Sequence, residues 1–367
     1  MGIMLQYKRL RKRLPIEVGV VTMKDVAERA RVSASTVSHV LNGTRNVSQS
    51  TRESVLAAID ELGYQPNLLA RSLKMRRTFT IGLLISDIQN TFFTSVVRGI
   101  EDVALSRGYH LFLCNTDEDA AREDEYLEEL IKKQVDGLIV ASSAPRHNHA
   151  RRLRAENLPF VFMDREIEGV NADALRVDNW LGMRLIAEHL TNLGHERIGM
   201  ISGPLDKASG YERYRGLQTA LANLGRRLED SLVRFGDFRT ASGREGASKL
   251  LRLSPPPTAL VIANNQMTLG ALLAIQEMGL RIPNDLSVVG FDDPEWAPLT
   301  NPPLTTLAQP TYEMGGKAMR MLLDRIEGNS GENAIKVLLE PWLVVRGSTA
   351  PPIDEASKRP EEWTLEA

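Results

Sequence analysis

Several features are scarce in this sequence of 367 residues. The single cysteine, Cys114, excludes an internal disulfide and a cysteine-based zinc site, and we expect it to pack inside a strand. No run of about 18 apolar residues occurs, so no transmembrane helix and no membrane association are predicted. P-loop, G-x-S-x-G and strand-linked G-x-G-x-x-G motifs are missing, and His147 and His149 have no obvious further ligands nearby. We therefore expect no enzyme activity, no cofactor and no metal.

The composition is that of a soluble globular protein, and the length predicts two or three domains. Apolar residues make up 43% and charged residues 25%. The net charge of −2 hides an asymmetry, because residues 1–79 contain 14 basic and 6 acidic residues while the remainder is acidic. A basic head on an acidic body indicates a nucleic-acid-binding module joined to a second function.

The first 21 residues form an extra N-terminal arm. Lys8–Arg13 is basic, but Pro15 and Glu17 interrupt the stretch that follows, so it does not match the apolar core of a signal peptide. We therefore expect a cytoplasmic protein. Two interpretations of the arm stay open: a basic arm that touches phosphates, or an upstream start assigned in error, with the true start near Val21 or Met23.

The head shows three short helices. Thr22 and Asp25 form a capping-box pair before the first, Ala34–Leu41 forms the second, and the third runs from about Ser48 to Leu62. The apolar faces of the last two helices consist of Val37, Val40, Leu41, Val55, Ala58, Ile59 and Leu62. Two short helices joined by a tight turn and braced by a third indicate a helix-turn-helix, and a generic three-helix unit with a solvated polar face is the alternative.

Ordered motifs in this region resemble the LacI–GalR family, most closely its ribose and purine repressors. They are Thr22–Ala27, Val32–Asn42, Tyr64–Asn67 and Ala70–Leu73, and the resemblance continues to about residue 348. It implies a DNA-binding transcriptional repressor that acts as a homodimer. Its helix-turn-helix head would span 22–66, its hinge helix and linker 67–79, its sugar-binding effector domain 80–348 and a flexible tail 349–367.

The resemblance also implies which residues bind DNA. In the head they are Thr22, Ser33, Ala34, Ser35, Thr36, Ser38, His39, Asn42 and Arg45; in the hinge helix they are Asn67, Ala70, Arg71, Leu73 and Lys74. Leu73 would wedge into the central step of the minor groove, which favours a near-palindromic operator with an easily unstacked central CG. For Leu73 alone, a core position is the alternative. The tail lacks leucine heptads, so we expect a dimer.

From Phe79 onward, short apolar strands alternate with helices, which indicates parallel sheets covered on both faces. The predicted strands are Thr80–Ile85, Leu111–Leu113, Gly137–Val140, Phe160–Met163, Ile198–Ile201, Ala259–Ile262 and Leu286–Gly290. They form two α/β lobes, the first about 80–178 and 308–338 and the second about 179–307 and 339–348. A ligand would lie beyond the carboxyl ends of the strands, in the cleft between the lobes.

Polar and aromatic residues follow these strands and form a candidate ligand site. They are Ser86, Asn90, Phe92, Phe93, Asp164, Arg165, Arg213, Phe238, Asn264, Phe291, Asp292 and Gln309. Carboxylates accept from sugar hydroxyls, arginine and amide groups donate to them, and phenylalanine rings cover the C–H faces. Taken singly, Asp164-Arg165 fits a surface ion pair and Asp292-Asp293 a turn. The acidic run Asp117–Glu129 is expected to be solvated.

The ligand set also resembles that of ribose-binding proteins with this fold, which makes D-ribose the leading effector. Asn265 departs from the family pattern, because an acidic residue usually stands there. Another monosaccharide or a purine remains open as the effector. Two other functions are weighed: a sugar-binding or transport protein, which the basic head disfavours, and a sugar-processing enzyme using Asp164 and Asp292, which the lack of a nucleophile, metal or cofactor loop disfavours.

Overall fold

The computed structural model describes residues 21–43, 45–64, 77–142, 153, 157–167 and 169–353. The chain forms two compact units, residues 1–76 and 77–367. The predicted N-terminal arm up to residue 20, the hinge segment 65–76 and the end of the tail lie outside the described residues. So do His147 and His149.

The described part of the first unit contains three helices, α1 (Met23–Arg29), α2 (Ala34–Asn42) and α3 (Gln49–Leu62). Helices α2 and α3 begin at serine N-caps, where the hydroxyl of Ser33 or Ser48 accepts a hydrogen bond from a backbone N–H three residues on. Both helices end at a glycine with a φ near +60°, a conformation that glycine adopts without strain.

A small hydrophobic core holds these helices together. Its buried members are Val26, Ala27, Ala30, Val37, Val40, Val55, Ala58 and Tyr64. Leu41, Ile59 and Leu62 pack against this core while partly exposed. The apolar faces predicted for the second and third helices are therefore confirmed.

The second unit contains two six-stranded sheets within the described residues. The strands of the first sheet are β1 (Thr80–Ile85), β2 (His110–Asn115), β3 (Gly137–Val140), β4 (Phe160–Met163), β5 (Asp173–Val177) and β11 (Lys336–Leu339). Their order is β11-β5-β4-β3-β1-β2, and every pairing is parallel. Cys114 lies on the edge strand β2 and is half-buried against the core, as a packing role predicts.

The second sheet has the order β12-β10-β9-β8-β6-β7. Its strands are β6 (Ile198–Ser202), β7 (Val233–Phe235), β8 (Ala259–Ile262), β9 (Ser287–Phe291), β10 (Thr305–Ala308) and β12 (Trp342–Val344). Only the pairing of β12 with β10 is antiparallel among the strands described. All seven predicted strands are present, to within three residues at each end.

Helices cover the sheets of both lobes. They are α4 (Thr91–Ser106), α5 (Ala120–Lys132), α6 (Asn179–Asn192), α7 (Ala208–Asn223), α8 (Thr240–Leu251), α9 (Asn265–Glu277) and α10 (Thr311–Glu327). Helix α4 packs against α10, α6 against α7, and α8 against α9. Gly99 lets α4 and α10 approach closely, because a Cβ there would lie 2.1 Å from the carbonyl oxygen of Tyr312. Within the described residues, no helix is both long and apolar enough to span a membrane.

The chain passes between the two sheets three times, after β5, after β10 and after β11. Ala308 belongs to the second sheet and Leu339 to the first, so the changeovers differ by about one residue from the predicted lobe limits. The residues that follow the carboxyl ends of the strands meet where the lobes face each other, and this arrangement positions the candidate ligand site.

Candidate functional site

The polar face of α2 is the candidate DNA-binding surface of the first unit. Ser33 and Ser35 are exposed, and Thr36, Ser38 and His39 are half-buried. Ala34, predicted to face bases, also packs against the small core. Arg45 follows the helix and is exposed. This surface of short side chains suits close approach to a groove, as helix-turn-helix recognition requires.

Local hydrogen bonds already use some of the predicted DNA-binding groups. The hydroxyl of Ser33 lies 2.7 Å from that of Ser35 and 2.8 Å from that of Thr36. The backbone N–H and hydroxyl of Thr22 both donate to Asp25, so the carboxylate half of the predicted capping box forms. The other half is present too, because the Thr22 side chain meets the backbone N–H of Asp25, so the capping box predicted from the sequence is confirmed.

Other predicted DNA contacts are not described. Asn42 ends α2, but its side chain lies outside the described residues, as do all five predicted hinge-helix contacts. Those hinge residues are Asn67, Ala70, Arg71, Leu73 and Lys74. Their DNA-binding roles stay predictions.

In the second unit, a cavity between the lobes brings together ten of the twelve predicted ligand residues. They are Asn90, Phe92, Phe93, Asp164, Arg165, Arg213, Phe238, Asn264, Asp292 and Gln309. Five further residues line the same cavity and were missed: Asp87, Glu118, Ser209, Asp237 and Arg239. The side chains come from loops after β1, β2, β4, β7, β8, β9 and β10 and from the starts of helices, so both lobes contribute.

Asn90 joins the two lobes beside this cavity. It is the N-cap of α4, where its Oδ1 accepts from the backbone N–H of Phe92 at 2.9 Å. The same oxygen accepts from Nδ2 of Asn265 in the second lobe at 2.8 Å, and Asn265 also donates to the hydroxyl of Thr91. The amide at position 265, where the family usually has an acid, thus donates two hydrogen bonds across the cleft.

Phe92 and Phe93 place aromatic surface on the same wall. Their ring centroids are 4.9 Å apart in an edge-to-face arrangement, and both residues are buried. Edge-to-face packing fixes the ring orientations relative to each other. The rings therefore give this wall a rigid apolar patch next to polar groups.

Asp164 and Arg165 form the polar centre of the first lobe. Both are more than nine-tenths buried, so the surface ion-pair interpretation is wrong. Nε of Arg165 lies 3.4 Å from the Asp164 carboxylate, and its Nη1 donates to Glu118 at 2.6 Å. Lys207 of the second lobe approaches the same Glu118 carboxylate at 3.5 Å. Glu118 therefore links an arginine of one lobe to a lysine of the other.

Arg213 projects from α7 into the second-lobe wall. Its Nε donates to Asn179 at 2.9 Å and its Nη1 to the carbonyl of Ala263 at 2.6 Å. The guanidinium also stacks 3.6 Å above the ring centroid of Phe291. With one face on a ring and two N–H groups bonded, Arg213 is held in one orientation.

The remaining second-lobe groups are fixed by backbone contacts. Asp292 accepts from the backbone N–H of Asn265 and from the side-chain amide of Gln309, so the turn interpretation does not describe its role. Asn264 caps α9 and donates to the carbonyl of Phe238, so much of its amide is used by the protein. The Phe238 ring fits only beside a glycine, because a Cβ on Gly203 would lie 2.1 Å from it.

The backbone turns sharply at four of the cavity residues. Glu118, Asp164, Phe238 and Asp292 have φ values between 63° and 72°, in the left-handed region. Residues other than glycine adopt this region at a cost of about 1–3 kcal/mol each and concentrate at functional sites. Four such residues around one cavity indicate that the cavity is a functional site.

Burial and charge set the protonation of these groups. Burial raises the pKa of both Asp164 and Asp292, and the charge of Arg213 counteracts it. Burial lowers the pKa of Arg213. Burial also opposes ionisation of Glu118, but the charges of Arg165 and Lys207 win and hold its pKa below the ordinary value. A ligand that donates to Asp164 and Asp292 would favour their charged forms.

Two predicted ligand residues do not line the cavity. Ser86 is fully buried, and its carbonyl accepts from the backbone N–H of Glu118, so it lies under the site. Phe291 is the last residue of β9 and points away because successive strand residues alternate in direction; its ring supports Arg213 instead.

The acidic run is also not uniformly solvated. Glu123 is fully buried and accepts from the hydroxyl of Ser142 at 2.8 Å, and Glu118 lines the cavity. Helical spacing turns Glu123 inward, while the exposed members of the run match the prediction. No group of three or more His, Cys, Asp or Glu in the described ranges is placed to hold a metal.

Comparison with known proteins gives the family. Residues 22–67 match the model for bacterial regulatory proteins of the lacI family, and residues 187–349 match the periplasmic binding protein-like domain. The ribose operon repressor of Haemophilus influenzae is 41% identical over 329 residues, which cover 90% of this chain and 98% of that protein. The chain belongs to the LacI family.

Two further relatives agree with this assignment. The PurR repressor of Photobacterium profundum is 37% identical over 90% of this chain and 98% of its own length. A crystal structure of the lac repressor dimer, bound to operator and the anti-inducer ONPF, superposes with a TM-score of 0.81 at 33% identity, covering 90% of this chain and 99% of that one. The helix-turn-helix domain and the two-lobe effector domain predicted from the sequence are both confirmed.

Membership of the LacI family decides the broad function. The chain is a DNA-binding transcriptional repressor with an effector domain of the sugar- and purine-responsive type, and it is not an enzyme. In this chain, the polar face of α2 is the candidate DNA-binding surface and the cavity between the lobes is the candidate effector site.

Proposed function

We propose that this LacI-family repressor responds to a neutral monosaccharide, with D-ribose as the leading effector, bound in the cavity between its lobes. One observation carries the proposal: the cavity combines twelve polar side chains with three phenylalanine rings. Sugar hydroxyls both donate and accept, and sugar C–H faces pack on rings. The ribose operon repressor of H. influenzae, at 41% identity, supports the same ligand class.

The charge of the lining favours a neutral ligand. Five carboxylates and three guanidinium groups line the cavity. Arg165 already pairs with Glu118 and Asp164, and the charge of Arg213 acts on Asp164 and Asp292. An anionic ligand would meet a surplus of negative charge, whereas a polyol would satisfy donors and acceptors alike.

A purine is the second candidate, and the three phenylalanine rings favour it because rings stack on bases. The PurR relative of P. profundum supports it too. A purine base has fewer hydrogen-bonding groups than the cavity offers, and each buried polar group left unpaired costs about 1–3 kcal/mol. The surplus of polar groups therefore favours the sugar.

Calorimetric titration of the purified protein with D-ribose, 2-deoxy-D-ribose and hypoxanthine tests the effector. We expect D-ribose to bind, and the loss of one hydroxyl to weaken binding tenfold or more because its partners in the site stay unpaired. Hypoxanthine should bind weakly or not at all. Tight hypoxanthine binding without ribose binding would establish the purine, and equal affinity for ribose and deoxyribose would contradict the hydroxyl-reading site.

For the DNA side, we propose a homodimer on a near-palindromic operator centred on CG, of the form AAACGTTT with flanking G and C. The exposed polar face of α2 and the operator-bound dimer of the lac repressor support this arrangement. The hinge residue Leu73 would wedge into the central step, and a pyrimidine–purine step unstacks at least cost.

A change of only the central base step of the operator tests this proposal. Affinity for a duplex centred on GC should fall relative to CG for the native protein, and the difference should shrink in Leu73→Ala. An equal preference for CG over GC in the two proteins would refute the insertion of Leu73 into the central step. Binding should weaken steeply with salt, as phosphate contacts require.

We further propose that effector binding lowers operator affinity. A ligand held by side chains from both lobes favours one lobe arrangement, and the coupling between sites is typically 1–3 kcal/mol and reciprocal. Operator DNA should therefore weaken sugar binding by the same factor, about 5- to 150-fold, as sugar weakens operator binding.

A further inference from the structure

Glu118 lines the cavity, but the proposed binding of a sugar gives its carboxylate no role. It follows β2, has a φ of 63°, and its side chain is 20% exposed. Its carboxylate accepts from Nη1 of Arg165 at 2.6 Å and lies 3.5 Å from Nζ of Lys207. Two cations, one from each lobe, thus converge on one carboxylate at the cavity wall.

This convergence has the geometry of an anion site that the protein itself has filled. A guanidinium fork beside an ammonium group is the usual donor set for phosphate. Arg165 faces the carboxylates of Glu118 and Asp164, with the charge of Glu123 also acting on it, and Lys207 faces that of Glu118. Without the Glu118 charge, the two cations lose the carboxylate that they share.

The other charged groups of the cavity do not reverse this balance. Asp237 and Arg239 line it together and offset each other, and Asp87 adds a further negative charge. The Asp237 carboxylate accepts from the backbone N–H of Arg239 at 2.9 Å. The sign of the net charge around the Arg165 guanidinium therefore depends on Glu118.

We propose that Glu118 is a specificity-determining residue that excludes anionic ligands, phosphorylated sugars above all, from the effector cavity. The proposal deepens the proposed function and rests on it, since it explains how a site rich in arginine takes a neutral sugar. A phosphate would have to displace Glu118 from Arg165 and Lys207 or lie against it as a like charge. Specificity by repulsion of the wrong ligand is a general device of binding sites.

The test is Glu118→Gln, titrated calorimetrically in a phosphate-free buffer with D-ribose 5-phosphate and with inorganic phosphate. The substitution keeps the shape and a hydrogen-bond acceptor but removes the charge. We expect the native protein to bind both probes only weakly and the variant to gain about tenfold to a hundredfold in affinity for both, the equivalent of one charge-assisted hydrogen bond.

Two controls identify the cause of a gain. Glu129→Gln makes the same charge change on the exposed face of α5, where Glu129 pairs with Lys132, and should gain nothing. Adding Lys207→Gln to Glu118→Gln should remove most of the gain, because one of the two cations beside position 118 is lost. A gain that persists in the double variant would contradict the role of the converging cations.

A folded Glu118→Gln protein with no affinity for phosphate would overturn the proposal. If that variant does not fold, Glu118→Ala is tested in its place with the same probes and the same criterion. Inorganic phosphate reports on Glu118 whatever the natural effector is. If the variant gains phosphate affinity but the protein does not bind D-ribose, the ribose assignment is refuted and the exclusion of anions is supported. If the protein binds D-ribose but the variant gains no phosphate affinity, the ribose assignment is supported and the exclusion of anions is refuted.

Discussion

Arg213 offers the sharpest test of the effector site, through the substitution Arg213→Ala. The residue is 5% exposed, and its guanidinium stacks on Phe291 and donates to Asn179 and to the carbonyl of Ala263. These contacts use two of its five N–H groups, and Arg213 lines the cavity, so the other three are the ones that a ligand can meet. The substitution therefore removes donors whose orientation is already fixed. The loss of such donors costs the most binding free energy.

The size of the effect follows from the hydrogen bonds that remain for a ligand. If two of the three remaining N–H groups meet sugar oxygens, at about 1.5–3 kcal/mol for each charged hydrogen bond, the loss is about 3–6 kcal/mol. At 1.4 kcal/mol per factor of ten, ribose affinity should fall by about two to four orders of magnitude. Operator affinity without sugar should stay close to native, because the first unit is unchanged.

Calorimetry with D-ribose and anisotropy with operator DNA measure the two quantities separately. Arg215→Ala is a matched control, since Arg215 lies two residues along the same helix, is exposed and bonds only Gln218 among the contacts described. It should leave both affinities unchanged. Ribose affinity within about fivefold of native in a folded Arg213→Ala protein would refute the reasoning.

Three further predictions concern stability. Val37→Ala, at a fully buried position of the small head core, should cost about 1–3 kcal/mol and weaken operator binding in anisotropy assays while sugar affinity in calorimetry is kept. Asn265→Ala removes two hydrogen bonds between the lobes, about 1 kcal/mol each, and should lower the melting temperature of the effector unit by roughly 4–8 °C in calorimetric scans. Burial lowers the pKa of His195, whose ring nitrogens are both hydrogen-bonded, so its neutral form stabilises the fold above pH 6.5 and that stability is lost as pH falls below this value. Urea unfolding between pH 7.5 and 5 should show this loss, and a flatter profile is expected for His195→Gln.

The sequence predicts the central strands well because they are buried on both faces. Thr80–Ile85, Gly137–Val140, Phe160–Met163 and Ala259–Ile262 have the bounds expected from their apolar runs. The edge strand β7 lacks this signal. Strand β7 has only three residues, one of them Arg234 and another the exposed Phe235, so the alternation of strands and helices did not reveal it.

The residues of the candidate site also divide into those that the sequence predicts and those that it misses. Residues directly after buried strands, such as Asp164 and Asp292, were predicted because parallel strands end at one edge of a sheet. Glu118 was missed because it lies in an acidic run that was expected to be solvated. Its role depends on Arg165, 47 residues away, and on Lys207 in the other lobe, and no spacing in the sequence indicates such contacts.

The central claim is that a sugar in the cavity controls operator binding. Its most direct test is the fluorescence anisotropy of a labelled AAACGTTT-centred duplex titrated with the protein, with and without D-ribose, at two salt concentrations. We expect tight, salt-sensitive binding that D-ribose weakens by about 5- to 150-fold. Operator binding that saturating D-ribose leaves unchanged would contradict control by this sugar.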